Sequence, residues 1–224
     1  MFELKLLEPV KMIRDDSGAG GRRYLTPAGC YYPSVTSILS RNPQKKDALT
    51  KWRKRVGDEQ ANAITKKATV RGTAIHTICE KYVTNDPNYF DNVNIINQQT
   101  FNDIKIHLDQ NVTEVYGVEL PLYSDLLKTA GTADLVCKWN GINSIVDFKT
   151  SRWKKPEEMI NDYFLQATCY SIMVQNLYKL LVPQIVVIIA NDHDHCSLFI
   201  KKRMEYAEQV KRAFITDRED YNAY

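Results

Sequence analysis

The chain has 224 residues, of which 44% are hydrophobic and 25% charged, with a formal net charge of +3. These are ordinary globular proportions, and no apolar run is long enough to span a bilayer, so fibrous, disordered and membrane-spanning classes are excluded. The opening MFELKLLEPVKM has neither a signal-peptide core nor the acid-poor look of a transit peptide, so a cytoplasmic protein is expected, or a viral one acting in a host cytoplasm.

A chain of this length buries a sizeable core and lies in the range of one α/β domain. We expect one domain over 1–224, with an N-terminal β-hairpin in 1–30, a helical part in 31–110, a sheet-and-helix core in 111–202 and a C-terminal helix in 203–224. Cys30, Cys79, Cys137, Cys169 and Cys196 are scattered with no CxxC pair. That pattern fits reduced structural thiols better than a disulfide framework, a zinc site or an iron–sulfur cluster. The net charge is too small to advertise a polyanionic partner, but its distribution is uneven. Lys45, Lys46, Lys51, Arg53, Lys54, Arg55, Lys66, Lys67 and Arg71 crowd one region, and Arg152, Lys154 and Lys155 form a second cluster. Solvated helix faces and a phosphate-tracking groove both account for such runs.

In chain order, residues 2–13 and 22–27 read as a hairpin or two short strands around the glycine-rich turn Asp15–Gly21. Pro33 and Ser34 begin a short helix, a second helix covers Lys46 to Val56 with Trp52 facing inward, and a third covers Asp58 to about Lys67. From Val70 a further helix has Ala74, Ile75, Ile78, Cys79 and Tyr82 as its apolar pattern. His76 and Glu80 share a face of it, and Arg71-Gly72 just before it suggests a close backbone approach. A lone helical histidine is more often packed or solvated than a ligand. Thr84 to Asn97 reads as a loop, Gln99 to Gln110 as a helix, and Val112 to Ser124 as a strand with Glu119 on the face opposite Val118 and Leu120.

The stretch Gly131 to Thr150, GTADLVCKWNGINSIVDFKT, organises the rest. Two apolar-rich runs flank Asn140-Gly141, the preferred dipeptide of a type I′ turn, so two adjacent antiparallel strands are expected. If 139 faces 142, counting outward puts Asp134 opposite Asp147. Like charges facing each other across a ladder destabilise it unless something positive lies between them. A divalent cation resolves the conflict. Lys149 follows Asp147 by two positions and shares its face, while Val146 and Phe148 point into apolar packing. Hard oxygen ligands suit magnesium or manganese with phosphate as co-ligand, which points to metal-assisted attack of water on a phosphodiester. A plain surface hairpin with solvated charges is the alternative at this point.

After Thr150 the chain leaves through Ser151 to Pro156 and enters a helix from Asp162 to about Leu177. There Gln166 and Tyr170 share a polar edge, and Leu165, Cys169, Ile172 and Met173 form the apolar stripe. Pro183 to Ala190 reads as a strand buried on both faces, Asn191 to His195 as a polar turn, Cys196 to Lys201 as a strand, and Arg203 to about Tyr221 as a final helix.

The order of these motifs resembles the PD-(D/E)XK nuclease superfamily, in particular its RecB-like branch and there the mitochondrial genome maintenance exonucleases and phage exonucleases. The histidine motif is matched by RGTAIH at His76, the GTxD motif by GTAD at Asp134, the D-x-K motif by VDFKTS at Asp147 and Lys149, and the Q-x-x-x-Y motif by QATCY at Gln166 and Tyr170. The likeness covers roughly residues 22 to 200. It implies a restriction-endonuclease-like α/β core, a central mixed sheet flanked by helices. It also implies Asp134, Asp147 and the Phe148 carbonyl as ligands of Mg²⁺ or Mn²⁺, Lys149 positioning the attacking water, and His76 at the metal or scissile phosphate. Gln166 and Tyr170 would hold the active-site geometry or the nucleic-acid backbone, and Glu119 stands where relatives often place another acid.

Arg71, Thr150, Ser151, Arg152 and Lys154 are the remaining candidates for contacts to the strand, and Trp52, Trp153 and Tyr163 for base stacking, with core packing the plainer reading for Trp52. The acid before the lysine is Asp, and the four-cysteine cluster of some relatives is absent, which disfavours a cluster-dependent helicase–nuclease or a CRISPR-adaptation role. The expected activity is a metal-dependent DNA exonuclease acting at single-stranded or flapped ends in phage DNA replication, recombination or degradation. A structure-specific endonuclease on the same fold and a non-catalytic nucleic-acid-binding subunit are the rivals.

Overall fold

A computed structural model of the chain describes residues 1–17, 20–192 and 195–223. Gly18 and Ala19 of the expected glycine-rich turn, and His193 and Asp194 of the expected polar turn, lie outside the described residues.

The centre is a six-stranded mixed sheet in the order β1-β5-β6-β7-β8-β9, built from Glu3–Leu4 (β1), Val112–Ser124 (β5), Thr129–Trp139 (β6), Ile142–Ser151 (β7), Gln184–Asn191 (β8) and Ser197–Lys202 (β9). The β6–β7 hairpin has the expected register, with Trp139 facing Ile142 and Leu135 facing Val146. Asn140 and Gly141 take positive φ, 48° and 79°, as a type I′ turn demands. β7 then pairs parallel with β8, which is buried along nearly its whole length. The alternation of β8 explains why. Val186 and Ile188 pack on one face of the sheet, and Val187 and Ile189 on the other.

Helices close both faces. Asp58–Val83 (α3) and Ile95–Asn111 (α4) set Ile75, Ile78, Phe101, Ile104 and Leu108 against Leu135, Trp139, Val146 and Phe148. Asn161–Tyr178 (α5) sets Phe164, Leu165, Met173 and Val174 against Val136, Ile145 and Val187. Among the described residues no helix is long and apolar enough to cross a membrane, and all five cysteines are free thiols.

Several elements differ from the sequence expectation. Leu4 and Glu3 do not join an N-terminal hairpin but pair parallel with β5. The hairpin instead joins Ile13–Asp15 (β2) to Arg23–Leu25 (β3), with Tyr31–Pro33 (β4) as a third strand. Ser34 caps the short helix Val35–Leu39 (α1), accepting from the Ser37 amide. The next helix starts earlier than expected, at Pro43–Val56 (α2), because Asn42 accepts from the Gln44 amide and Pro43 suits a first helical position. α2 buries no residue, and Trp52 is only half-buried, so it does not enter the core.

The expected break between about Lys67 and Val70 is absent: α3 runs on through Arg71-Gly72 without interruption. A glycine costs a helix about 1 kcal/mol, which the packing of Ile75, Ile78, Cys79 and Val83 outweighs. α4 begins at Ile95, capped by Asn94. The C-terminal helix is broken into a 3₁₀ turn at Arg203–Glu205, a short helix at Ala207–Lys211 (α6), a π turn at Arg212–Thr216 and a 3₁₀ turn at Tyr221–Ala223.

Candidate metal centre

β6 and β7 stop pairing at Leu135 and Val146, one step before the two aspartates would meet. In the opening, Asp134 Oδ2 accepts a 2.8 Å hydrogen bond from the Phe148 amide. The carboxylate thus stands in for the backbone acceptor that the ladder no longer supplies. Its Oδ1 lies 3.6 Å from His76 Nδ1, and Glu119 Oε1 lies 3.8 Å from the same nitrogen. Potential ligand atoms of His76, Glu119 and Asp134 all fall within 4.8 Å of one another.

Each of these three side chains is placed for a different reason. His76 follows Ile75 and precedes Ile78, both fully buried, so the apolar stripe of α3 turns the imidazole toward the sheet edge. The ring meets Phe148 edge-on, with centroids 6.2 Å apart. Glu119 sits in β5 with φ of 44°, a left-handed backbone that an L-residue with a long side chain adopts at a cost. Asp134 is held by the Phe148 amide. Burial first, and the neighbouring Asp147 charge second, push the Asp134 carboxyl up to about 7. For His76, burial opposes protonation, but Glu119 and Asp134 outweigh it and raise the imidazole above its ordinary value.

Asp147 does not join that group of three. Its side chain is 1% exposed, and its Oδ2 lies 2.5 Å from Lys149 Nζ. Neither of its oxygens has a partner of good hydrogen-bond geometry. Burial alone would lower the Lys149 ammonium, but the Asp147 and Asp134 charges prevail and hold it above its ordinary range. Strand alternation supplies the common face, because Val146 and Phe148 are committed to the α3–α4 side. A buried carboxylate beside one lysine, next to a second carboxyl pushed toward neutrality, is costly as it stands. Oxygen donors from Asp134 and Glu119 with one imidazole make a donor set suited to Mg²⁺ or Mn²⁺. The residues present fit such an ion.

Gln166 and Tyr170 are not on a polar edge. They are 8% and 3% exposed, and Gln166 Nε2 donates to Tyr170 Oη at 3.4 Å. Gly131 makes room for them: a Cβ there would stand 2.8 Å from both Cε1 and Oη of Tyr170. The GTAD glycine and the QATCY tyrosine are therefore packing partners across the sheet–helix interface. Burial pushes the Tyr170 phenol well above its ordinary value, so it stays protonated.

Of the remaining candidates, Arg71, Thr150 and Ser151 meet at the end of β7, where the Asp192 amide donates to the Ser151 carbonyl at 3.1 Å. Arg71, five residues before His76 on α3, is ion-paired with Asp192. Gly72 leaves only an ordinary 3.7 Å approach to Thr150 Oγ1. Ser151 Oγ donates to the Trp153 carbonyl at 2.7 Å. Arg152 and Lys154 are exposed, with the Arg152 guanidinium 5.2 Å over the exposed Trp153 ring. Lys155 of the second basic cluster and Tyr163, singled out separately in the sequence, meet at 2.8 Å, an approach that no local spacing signals.

No family model matches the chain, and no curated protein matches it. Among solved structures, a crystal structure of a "putative exonuclease" from Eubacterium rectale aligns with it. The alignment covers 66% of this chain and 69% of that one, with a TM-score of 0.39 and 10% sequence identity.

Proposed function

We propose that the chain is a divalent-metal-dependent deoxyribonuclease with a restriction-endonuclease-like core of the RecB-like PD-(D/E)XK type. In this reading it is an exonuclease that hydrolyses phosphodiester bonds at single-stranded or flapped ends, serving phage DNA replication, recombination or degradation. The observation that carries the reading is the buried Asp147 carboxylate, paired with Lys149, near the group formed by Asp134, Glu119 and His76.

Asp134, Asp147 and the Phe148 carbonyl would hold Mg²⁺ or Mn²⁺, with His76 and Glu119 completing the shell; when bound, the ion supplies Lewis-acid activation of water and neutralises charge on phosphate. Lys149 holds the water on the Asp147 side and offsets charge developing at the phosphorus centre. His76 would serve that shell through a neutral imidazole nitrogen, on the side where Asp134 and Glu119 meet it. Tyr170 and Gln166 keep β6 at a fixed distance from α5, so that Asp134 stays at the opening. Lysines and arginines of α2 and α3, with Arg152 and Lys154, track the strand backbone.

Incubation of end-labelled linear and circular single-stranded DNA with Mg²⁺, Mn²⁺ or EDTA tests this. Metal-dependent loss of the linear substrate alone supports the exonuclease. Cleavage of the circle turns the assignment to an endonuclease, and binding without cleavage to a non-catalytic subunit.

A further inference from the structure

Tyr163, in the first turn of α5, has two lysines at its ring. Lys149 Nζ lies 5.3 Å from the ring centroid, within cation–π range. Lys155 Nζ lies 5.2 Å from the same centroid and donates a 2.8 Å hydrogen bond to the Tyr163 hydroxyl. The connector between β7 and α5 fixes this approach. Pro156, with φ of −66°, follows Lys155 directly and restricts its backbone to extended conformations.

The two ammonium groups differ in how their charge is met. Lys149 is offset by Asp147 at 2.5 Å. Around the same helix start, Lys45 is paired with Asp162, and Lys201 with Glu157 at 2.5 Å. Among the described residues Lys155 has no carboxylate within ion-pair distance; its hydrogen-bond partner is the Tyr163 hydroxyl. Bringing an uncompensated cation to the ring that already faces Lys149 costs repulsion in a half-buried setting. An anion beside Lys155 reverses the sign of that cost.

Resting on the nuclease reading above, we propose that Lys155, aimed by the Tyr163 hydroxyl, binds the phosphodiester adjacent to the scissile one. Tyr163 is the positioning residue that holds both ammonium groups at its ring. Lys149 then serves the reacting phosphate and Lys155 its neighbour along the strand.

The test compares wild type, Lys155→Gln, Lys155→Arg and Tyr163→Phe. Steady-state digestion of a linear single-stranded oligonucleotide with Mg²⁺ is expected to show KM raised about tenfold in Lys155→Gln, the equivalent of one charge-assisted contact, with kcat within about twofold. Lys155→Arg recovers most of the KM. Tyr163→Phe, which keeps the ring and removes the hydroxyl, raises KM in the same way. In an Asp147→Asn background with Mg²⁺, the slope of log affinity against log salt shrinks by about 0.7 on Lys155→Gln, as for one lost single-strand phosphate contact. Unchanged KM and salt slope in Lys155→Gln, with wild type cleaving, would overturn the proposal and leave the nuclease reading standing. Absence of cleavage by wild type with either metal overturns both.

Discussion

Asp134 and Phe148 are joined across the mouth of the central hairpin, the Asp134 carboxylate accepting the Phe148 amide at 2.8 Å where the backbone ladder has ended. This one bond fixes a charged group at a place where the sheet has opened, next to His76 and within the field of Asp147.

The first prediction concerns pH. The Asp134 carboxyl, pushed up to about 7 by burial and then by Asp147, binds a proton on folding. An acid whose folded value lies above its unfolded value loses stability as pH rises between the two, here from about 4 to about 7. His76, raised above its ordinary value against its own burial by Glu119 and Asp134, contributes stability at low pH that is lost as pH rises through its folded value, which adds to the same trend. In EDTA the melting temperature should therefore fall from pH 5.5 to pH 8. Asp134→Asn, which can still accept from Phe148, should be the more stable chain at pH 8, by at most about 4 kcal/mol. Mg²⁺ should remove that advantage. Calorimetry showing Asp134→Asn less stable than wild type at pH 8 without metal would contradict the electrostatics described.

The second concerns Gly131. A methyl at this position meets the Tyr170 ring at 2.8 Å. Gly131→Ala should cost about 1–3 kcal/mol, as overpacked sites do. Urea denaturation of Gly131→Ala, Tyr170→Leu and the double variant should show positive coupling, since the smaller side chain gives the methyl its room. Strictly additive losses would mean that the two residues do not constrain each other.

The third concerns Glu119. Its φ of 44° is strained for a residue with a side chain. Glu119→Gly should stabilise the metal-free chain by about 0.5–1 kcal/mol by releasing that strain. The same change should raise the Mg²⁺ concentration needed for half-maximal cleavage several-fold. A destabilised variant with an unchanged metal requirement would remove Glu119 from the site.

Much of this geometry was readable in local chemistry. Asn140-Gly141 dictates the hairpin turn and with it the register as far as Leu135 and Val146, short of the expected pairing of 134 with 147, and period-two alternation places Val146 and Phe148 away from Asp147 and Lys149. The apolar run of β8 was equally plain. What escaped was non-local. The burial of Gln166 and Tyr170 depends on a missing side chain at Gly131, about forty residues earlier on another element. The continuity of α3 through Gly72 is set by packing against the sheet, which overrides local propensity. α2 makes its helix from capping and charge without burying a residue, so an inward face for Trp52 had no physical basis. The Tyr163–Lys155 approach depends on how the β7–α5 connector folds back, which spacing does not encode.

The central claim is that Asp147 and Lys149 carry metal-dependent phosphodiester hydrolysis, and single-turnover cleavage of an end-labelled single strand tests it most directly. With Mg²⁺ or Mn²⁺, wild type should cleave, and Asp147→Asn and Lys149→Ala should each cleave at least about 100-fold more slowly while still binding the strand. EDTA should abolish cleavage by wild type. Cleavage that persists in EDTA, or that proceeds in Lys149→Ala at the wild-type rate, would contradict the account.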